Sequence, residues 1–268
     1  MKRILVPTDF SPNADKALNY ALQIAKRSVA EVILIHAVES YQSEDTIERA
    51  KARLEQVQNS IWESEKFRIR TDVFGDSTIP SILDAVKQYG IDLVVMGTVG
   101  SSGLREVLYG SRTAGLIGRC PVPVLAIPLL GEWKLPQKIL LAVNEFHAEV
   151  RQAIQPVIRM ADLFGASLQV TIFTDTNDDY VEDYLKHEDR IEAFRDLLKA
   201  EYPKLEIHAV HLSGTIFRDN LQHWIDNNQI DIVAMLTHRR SILQSLFTSS
   251  MTRKMSYHTN IPLLAAPL

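Results

Sequence analysis

The 268-residue sequence predicts two tandem α/β domains, each an open five-stranded parallel sheet with helices on both faces. Three observations carry that prediction. Short apolar runs are continuous rather than alternating, as parallel strands covered on both faces require. Those runs alternate with segments of helical periodicity, which is the signature of βαβ units. The second half of the chain then repeats the pattern of the first. Together they describe a Rossmann-like arrangement used twice.

In the first half the strand-like runs fall at 3–7, 32–38, 68–74, 91–96 and 122–127. Between the first two, Ala17, Leu18, Ala21, Leu22 and Ala25 mark one face of a helix. Ser11 suits its N-cap and Pro12 its first turn. A strongly charged helix is expected over about 44–64, half exposed. Ile79, Ile82, Leu83 and Val86 recur at helical spacing in a third, and a fourth begins near Ser111. In sheets of this kind ligands sit beyond the carboxyl ends of the strands, where the strand order reverses. That singles out Pro7-Thr8-Asp9, His36-Ala37-Val38 and Met96-Gly97.

The duplication is visible residue by residue. Lys2-Arg3-Ile4-Leu5-Val6-Pro7-Thr8-Asp9 is answered by Lys138-Ile139-Leu140-Leu141-Ala142-Val143-Asn144. Gly75 answers to Gly214, and Ile91-Asp92-Leu93-Val94 to Ile230-Asp231-Ile232-Val233. From there the offset stays at 139, pairing Thr98 with Thr237, Leu104 with Leu243, Ser111 with Ser250 and Pro123 with Pro262. The expected division is a first domain over 1–129, a connector over 130–137 and a second domain over 138–268. Gly131 and Pro136 punctuate the connector, and its Trp133 is expected to pack on a domain.

Composition narrows the function classes. Hydrophobic residues at 46% and charged residues at 23% suit a globular chain with its own core. A net charge of -4 offers no basic footprint for nucleic acid. Apolar runs stay short of the ~20 residues that span a bilayer, and Met1-Lys2-Arg3 leads into too brief an apolar stretch for a signal peptide. The single cysteine, Cys120, cannot form an intrachain disulfide, so a cytoplasmic location is expected.

Special backbone is concentrated in one place: six of the 11 glycines fall between 97 and 118. The segment Met96-Gly97-Thr98-Val99-Gly100-Ser101-Ser102-Gly103-Leu104-Arg105-Glu106-Val107-Leu108-Tyr109-Gly110-Ser111-Arg112-Thr113 starts as a strand ends and finishes as a helix begins. Backbone N–H groups there lack partners, and a phosphate chain supplies acceptors. Glycine lets the backbone approach such a ligand without a Cβ in the way, and Ser111 and Thr113 carry hydroxyl donors.

The spacing Gly97-x2-Gly100-x9-Gly110-Ser111 resembles the ATP-binding signature of the universal stress protein family. The opening Ile4-Leu5-Val6-Pro7-Thr8-Asp9-Phe10-Ser11 and the closing Cys120-Pro121-Val122-Pro123-Val124-Leu125 resemble its first and last strands, so the resemblance covers the chain in tandem form. It implies a nucleotide-binding stress-response protein acting through conformation or partner choice. The implied ligand is ATP, ADP or AMP, with Mg2+ as an accompaniment of ATP. The implied roles put Asp9 on the ribose or adenine edge beside Pro7 and Thr8, and Ala37 and Met96 along the adenine slot. Gly97 and Gly100 follow ribose and phosphates; Gly110, Ser111, Arg112 and Thr113 meet the phosphates. Ala37 is smaller than the Val of the family pattern. The family often dimerises through its last strand, which implies an intrachain pseudo-dimer through 122–127 and 261–266 and leaves a homodimer and a protein partner open.

The second half departs from the signature. Gly97, Gly100, Gly110 and Asp9 become Leu236, Arg239, Ser249 and Asn144, so only the first domain is expected to bind ATP. Competing readings are a ligand-free interaction module, a weak ATPase, or an adenylate-forming or pyrophosphatase-type enzyme. The last needs a Gly/Ser loop or a His motif after the first strand, where this chain has Thr8-Asp9-Phe10-Ser11-Pro12. The 97–113 segment holds no lysine for a γ-phosphate and no base paired with a nucleophile, so no catalytic or metal-binding residues are expected. His208 and His211 sit three apart on a strand, on opposite faces, and do not share a metal. Arg105, Arg112 and Arg119, seven apart, read as a solvated face.

Overall fold

Strand β1 (Arg3–Pro7) carries Ile4, Leu5 and Val6 with no exposed surface, because strands lie on both sides of it and helices cover its faces. This computed structural model describes residues 1–39, 43–98, 111–143, 146, 148–176, 180–237 and 260–268. The described residues fall into two compact units, one of Met1–Trp133 and one from Lys134 onward that ends in Ile261–Leu268.

In the first unit β1 is joined by β2 (Glu31–Ala37), β3 (Arg70–Phe74), β4 (Leu93–Gly97) and β5 (Val124–Ile127). Their order is β3-β2-β1-β4-β5 and every pairing is parallel. Helices α1 (Pro12–Ser28), α2 (Glu44–Glu65), α3 (Thr78–Tyr89) and α4 (Ser111–Ile117) connect them. Right-handed crossovers put α1 and α2 on one face and α3 and α4 on the other. Ser11 caps α1, its side chain accepting from the Ala14 N–H at 3.3 Å, and Pro12 opens the first turn. The chain order reverses at β1, which lies between β2 and β4. A crevice at the carboxyl ends of β1 and β4 follows from that reversal.

Residues after β5 hold to this unit through α1. The Lys16 ammonium donates to the Leu129 carbonyl at 2.7 Å, and the Tyr20 hydroxyl to that of Glu132 at 2.6 Å. Trp133 packs edge-on to Tyr20 with ring centroids 4.9 Å apart, as its bulk predicts.

The second unit has strands β6 (Lys138–Ala142), β7 (Ser167–Asp175), β8 (Ile207–Gly214), β9 (Ile232–Thr237) and β10 (Leu263–Pro267). Their order, β8-β7-β6-β9-β10, is that of the first unit in chain terms, and again all are parallel. Its helices are α5 (Ala148–Ala153), α6 (Gln155–Phe164), α7 (Tyr180–Glu201) and α8 (Phe217–Asn228).

Repeated sequence proves to be repeated contact. The Asp92 carboxylate accepts from the Lys2 and Arg3 N–H groups at 2.5 and 3.0 Å, pinning the start of β1 to that of β4. Asp231 does the same for Gln137 and Lys138 at 2.8 and 3.0 Å. Arg3 reaches the Tyr89 carbonyl at the end of α3, and Lys138 reaches that of Asn228 at the end of α8. One difference has a local cause. The start of β1 lies 135 residues before that of β6, whereas α1 ends at Val29 and α6 at Gly165, 136 apart. The second unit thus carries one extra residue where α1 runs unbroken. A helix cannot absorb it in register; the counterpart breaks at Ile154 and restarts at Gln155, followed by Pro156, which has no N–H to continue the ladder.

Candidate functional site

At the carboxyl end of β1 the ladder runs one residue further, the Thr8 N–H donating to the Ile35 carbonyl at 2.8 Å. Thr8 is buried; Pro7 and Asp9 are half-exposed. The chain then turns sharply through Phe10, whose φ of 58° lies in the left-handed region. Short side chains hold the turn: Thr8 Oγ1 accepts from the Phe10 N–H at 2.9 Å, and Asp9 Oδ1 from the Ser11 N–H at 3.1 Å. One oxygen of Asp9 is therefore held by the backbone at the mouth of α1.

His36, near the end of β2, lies against the same turn. Its Nδ1 is 2.7 Å from the Thr8 carbonyl, which can only accept, so Nδ1 carries the proton. The His36 ring lies 4.7 Å from that of Phe10, and the Arg53 guanidinium of α2 sits 4.3 Å over the Phe10 ring. Burial raises the Asp15 pKa above the ordinary carboxylate value; Arg53 opposes the shift and Asp9 adds to it.

Ala37 ends β2 half-exposed, in register with Phe74 of β3. Met96 is buried in β4, and Gly97 is half-exposed at its end. The bare side of Gly97 is occupied by α1: a Cβ there would come within 2.6 Å of Asn13 Oδ1 and 3.0 Å of the Asn13 carbonyl oxygen. Asn13 is 1% exposed, and its Nδ2 donates to the Ile127 carbonyl at 3.1 Å. The same carbonyl accepts from the Thr98 N–H at 2.9 Å. The missing side chain of Gly97 thus serves the packing of α1 on β4 as well as any ligand.

Thr113, buried in α4, donates its hydroxyl to the Gly97 carbonyl at 3.2 Å. A hydroxyl has one hydrogen, so this one ties α4 to β4; toward a ligand the oxygen is left as an acceptor. Arg112 is exposed on α4, which Ser111 begins. Gly100, Gly110 and the side chain of Ser111 lie outside the described residues. The structure therefore brings Pro7, Thr8, Asp9, Ala37, Met96 and Gly97 to one edge of one sheet. Nothing in the sequence pointed to Arg53 or Asn13; it marked His36 only as part of a strand end and Phe10 only as part of the turn, without a role for either. The signals available were the unusual Thr8-Asp9-Phe10-Ser11-Pro12 string for Phe10 and the strand-end position for His36.

In the second unit Leu236 takes the place of Gly97 and is 5% exposed, in register with Ala266 of β10. Asn144, Arg239 and Ser249 lie outside the described residues, as do Ser250 and Thr252. This unit has a polar cluster of its own. Thr174 Oγ1 lies 2.7 Å from both His187 Nδ1 and His211 Nε2, and Tyr184 stacks on His211 at 4.0 Å. His211 Nδ1 is buried without a partner. Burial, helped by His187 and opposed by Glu188, lowers the His211 pKa below its usual 6.5. His208 instead faces out toward Glu206 at 3.0 Å. Cys120 is buried, and burial raises its thiol pKa, so it behaves as a packed side chain. Among the described residues no group of three His, Cys, Asp or Glu side chains could hold a metal, and no helix is long and apolar enough to cross a membrane.

A model of the Universal stress protein family matches residues 1–128 and again 136–267. The chain is 27% identical over 153 residues to Universal stress protein MJ0577 of Methanocaldococcus jannaschii, covering 47% of this chain and 94% of that protein. It is 30% identical over 139 residues to Universal stress protein MJ0531 of the same organism, covering 47% and 81%. The crystal structure of a universal stress protein from Archaeoglobus fulgidus superposes with a TM-score of 0.75, covering 99% of this chain and 98% of that one. At 19% identity that last likeness is one of fold.

Proposed function

The chain belongs to the universal stress protein family in both halves, in tandem form, and from that premise we propose that its first unit alone binds an adenine nucleotide. The observation that carries the reading is the convergence of Pro7, Asp9, Ala37 and Gly97 at one half-exposed sheet edge, on either side of the point where strand order reverses. From that edge the sequence runs directly into the Gly100–Gly110–Ser111 signature.

In this reading Asp9, fixed by Ser11, accepts from ribose hydroxyls or the base edge. Ala37 and Met96 flank the base, with Pro7 and Thr8 behind it. Gly97 and Gly100 present bare backbone, and Gly110, Ser111 and Arg112 meet the phosphates. Thr113 contributes by anchoring α4 to Gly97. A bound ATP would bring Mg2+ with it. The second unit departs from the signature at Leu236, Arg239, Ser249 and Asn144, which supports its having no ATP. The output is conformation or partner binding rather than turnover, since the 97–113 segment offers neither lysine nor a base–nucleophile pair.

One observation favours a second reading, a ligand-free interaction module: Asn13 alone accounts for the glycine at 97. Isothermal titration with ATP and AMP separates the two, with Gly110→Leu as comparator. The expected result is saturable binding by the parent and none by the variant, at unchanged ligand-free thermal stability. Mass action then adds about 2.7 kcal/mol to the parent at a hundredfold ligand excess over Kd. Absence of heat and of any stability shift with ATP, ADP or AMP sinks the proposal and leaves the interaction module.

A further inference from the structure

We propose that Arg53 of α2 is a positioning residue for the nucleotide site, acting through Phe10 to hold Asp9 in place. The inference rests on the function proposed above and adds to it a connection between the site and a helix that contributes none of the site's own residues.

Four non-glycine residues among those described have positive φ. Three of them, Val29, Lys66 and Gln229, are helix C-caps, where the left-handed conformation is the ordinary way for a helix to end. Phe10 is not: it lies between a strand and a helix, and a bulky residue in that region is an outlier. Something must hold it there. Backbone caps from Thr8 and Asp9 do part of this. What remains acts on the ring, with His36 at 4.7 Å and the Arg53 guanidinium at 4.3 Å.

His36 cannot drift, because its Nδ1–H is bonded to the Thr8 carbonyl of the same turn. Arg53 is exposed and comes from a helix that otherwise meets β2 and β3. Of the ring and cation–π contacts described for Phe10, the Arg53 guanidinium is the one that α2 supplies. Asp9 precedes Phe10 directly, and its carboxylate orientation is set by the Ser11 N–H on the other side. Releasing the ring lets φ of Phe10 relax out of the left-handed region and swings the peptide that carries Asp9. By linkage, a ligand that needs Asp9 in place also favours the docked position of α2.

The test uses the whole chain with five variants: Arg53→Ala, Arg53→Lys, Arg49→Ala, Phe10→Leu, and Phe10→Leu combined with Arg53→Ala. Arg49 lies one turn away on the same helix, exposed and paired with Asp45, and controls for charge. Two readouts are taken: ATP affinity by titration, and hydrogen exchange at the Phe10 and Ser11 amides without ligand. Arg53→Ala is expected to weaken ATP about fivefold, the worth of an exposed cation–π contact, and to speed exchange at both amides. Arg53→Lys loses less and Arg49→Ala nothing. In the Phe10→Leu background, Arg53→Ala has no further effect beyond Phe10→Leu alone. Affinity within twofold of the parent, or an equal loss from Arg49→Ala, overturns the positioning role. A parent that fails to bind ATP defeats the proposed function instead. Exchange at Phe10 and Ser11 then decides this inference by itself, faster in Arg53→Ala supporting it and unchanged refuting it.

Discussion

Replacing Gly97 by alanine tests what that glycine is for. A methyl at this position would meet Asn13 Oδ1 at 2.6 Å, Cγ at 2.7 Å and the Asn13 carbonyl oxygen at 3.0 Å. The side chain can turn away only by giving up its bond to the Ile127 carbonyl, in a site that is 1% exposed. The backbone contact yields only if α1 moves. Loss of a buried hydrogen bond costs about 1–2 kcal/mol, and overpacking a tight contact about 1–3 more, so about 2–5 kcal/mol in all. Asn13→Ala alone should cost about 1 kcal/mol, because the Ile127 carbonyl keeps the Thr98 N–H. The double variant should be more stable than Gly97→Ala by at least about 1 kcal/mol, a coupling well outside additivity. The second unit has that combination in natural form, with Leu236 at the glycine position and Ala148, in register with Asn13, at the asparagine position. Urea unfolding gives the energies, and hydrogen exchange resolved to α1 and β5 keeps the first unit apart from the second. A Gly97→Ala cost under about 0.5 kcal/mol, or strict additivity in the double variant, refutes the packing argument.

Two further outcomes are expected. Val29 ends α1 at φ 54° with its side chain 92% exposed, where its counterpart Gly165 ends α6 at 64°. Val29→Gly should therefore stabilise by about 0.5–1 kcal/mol, relief of left-handed strain outweighing glycine's extra chain entropy; a lower denaturation midpoint would contradict this. For His211 the folded pKa lies below the unfolded value of 6.5, so its contribution is complete above pH 6.5 and is lost as pH falls from there toward the folded value. Urea midpoints for the second unit should drop over that window, and His211→Phe should flatten the drop; an unchanged slope in the variant would remove His211 from the explanation.

The architecture was legible because it rests on patterns that the sequence displays locally. Apolar runs placed β1, β2 and β4 to within a residue or two, and Ser11-Pro12 placed the start of α1. The paired Asp92 and Asp231 were visible as a repeat, and the structure supplies the reason, two N–H groups held at each strand start. Strand ends were legible too: Pro7-Thr8-Asp9, His36-Ala37-Val38 and Met96-Gly97 do lie where β1, β2 and β4 finish. Contacts between distant elements left no local trace. Asn13 and Ile127 meet across more than a hundred residues, and Arg53 reaches Phe10 from a helix whose pattern reads merely as charged and exposed. Gly97 was readable as room for a ligand, yet that room is also occupied by α1. His187 and His211 could not be paired in advance, because Thr174 joins them only once α7 is laid over β7 and β8.

The two units share one strand order but not one signature: Leu236 and Asn144 stand in the second where Gly97 and Asp9 stand in the first, so one ATP site per chain is proposed. Equilibrium dialysis of the intact chain against ATP measures it directly. One ATP bound per chain is the predicted result; two equivalent ATP molecules, or none at any concentration, would contradict it.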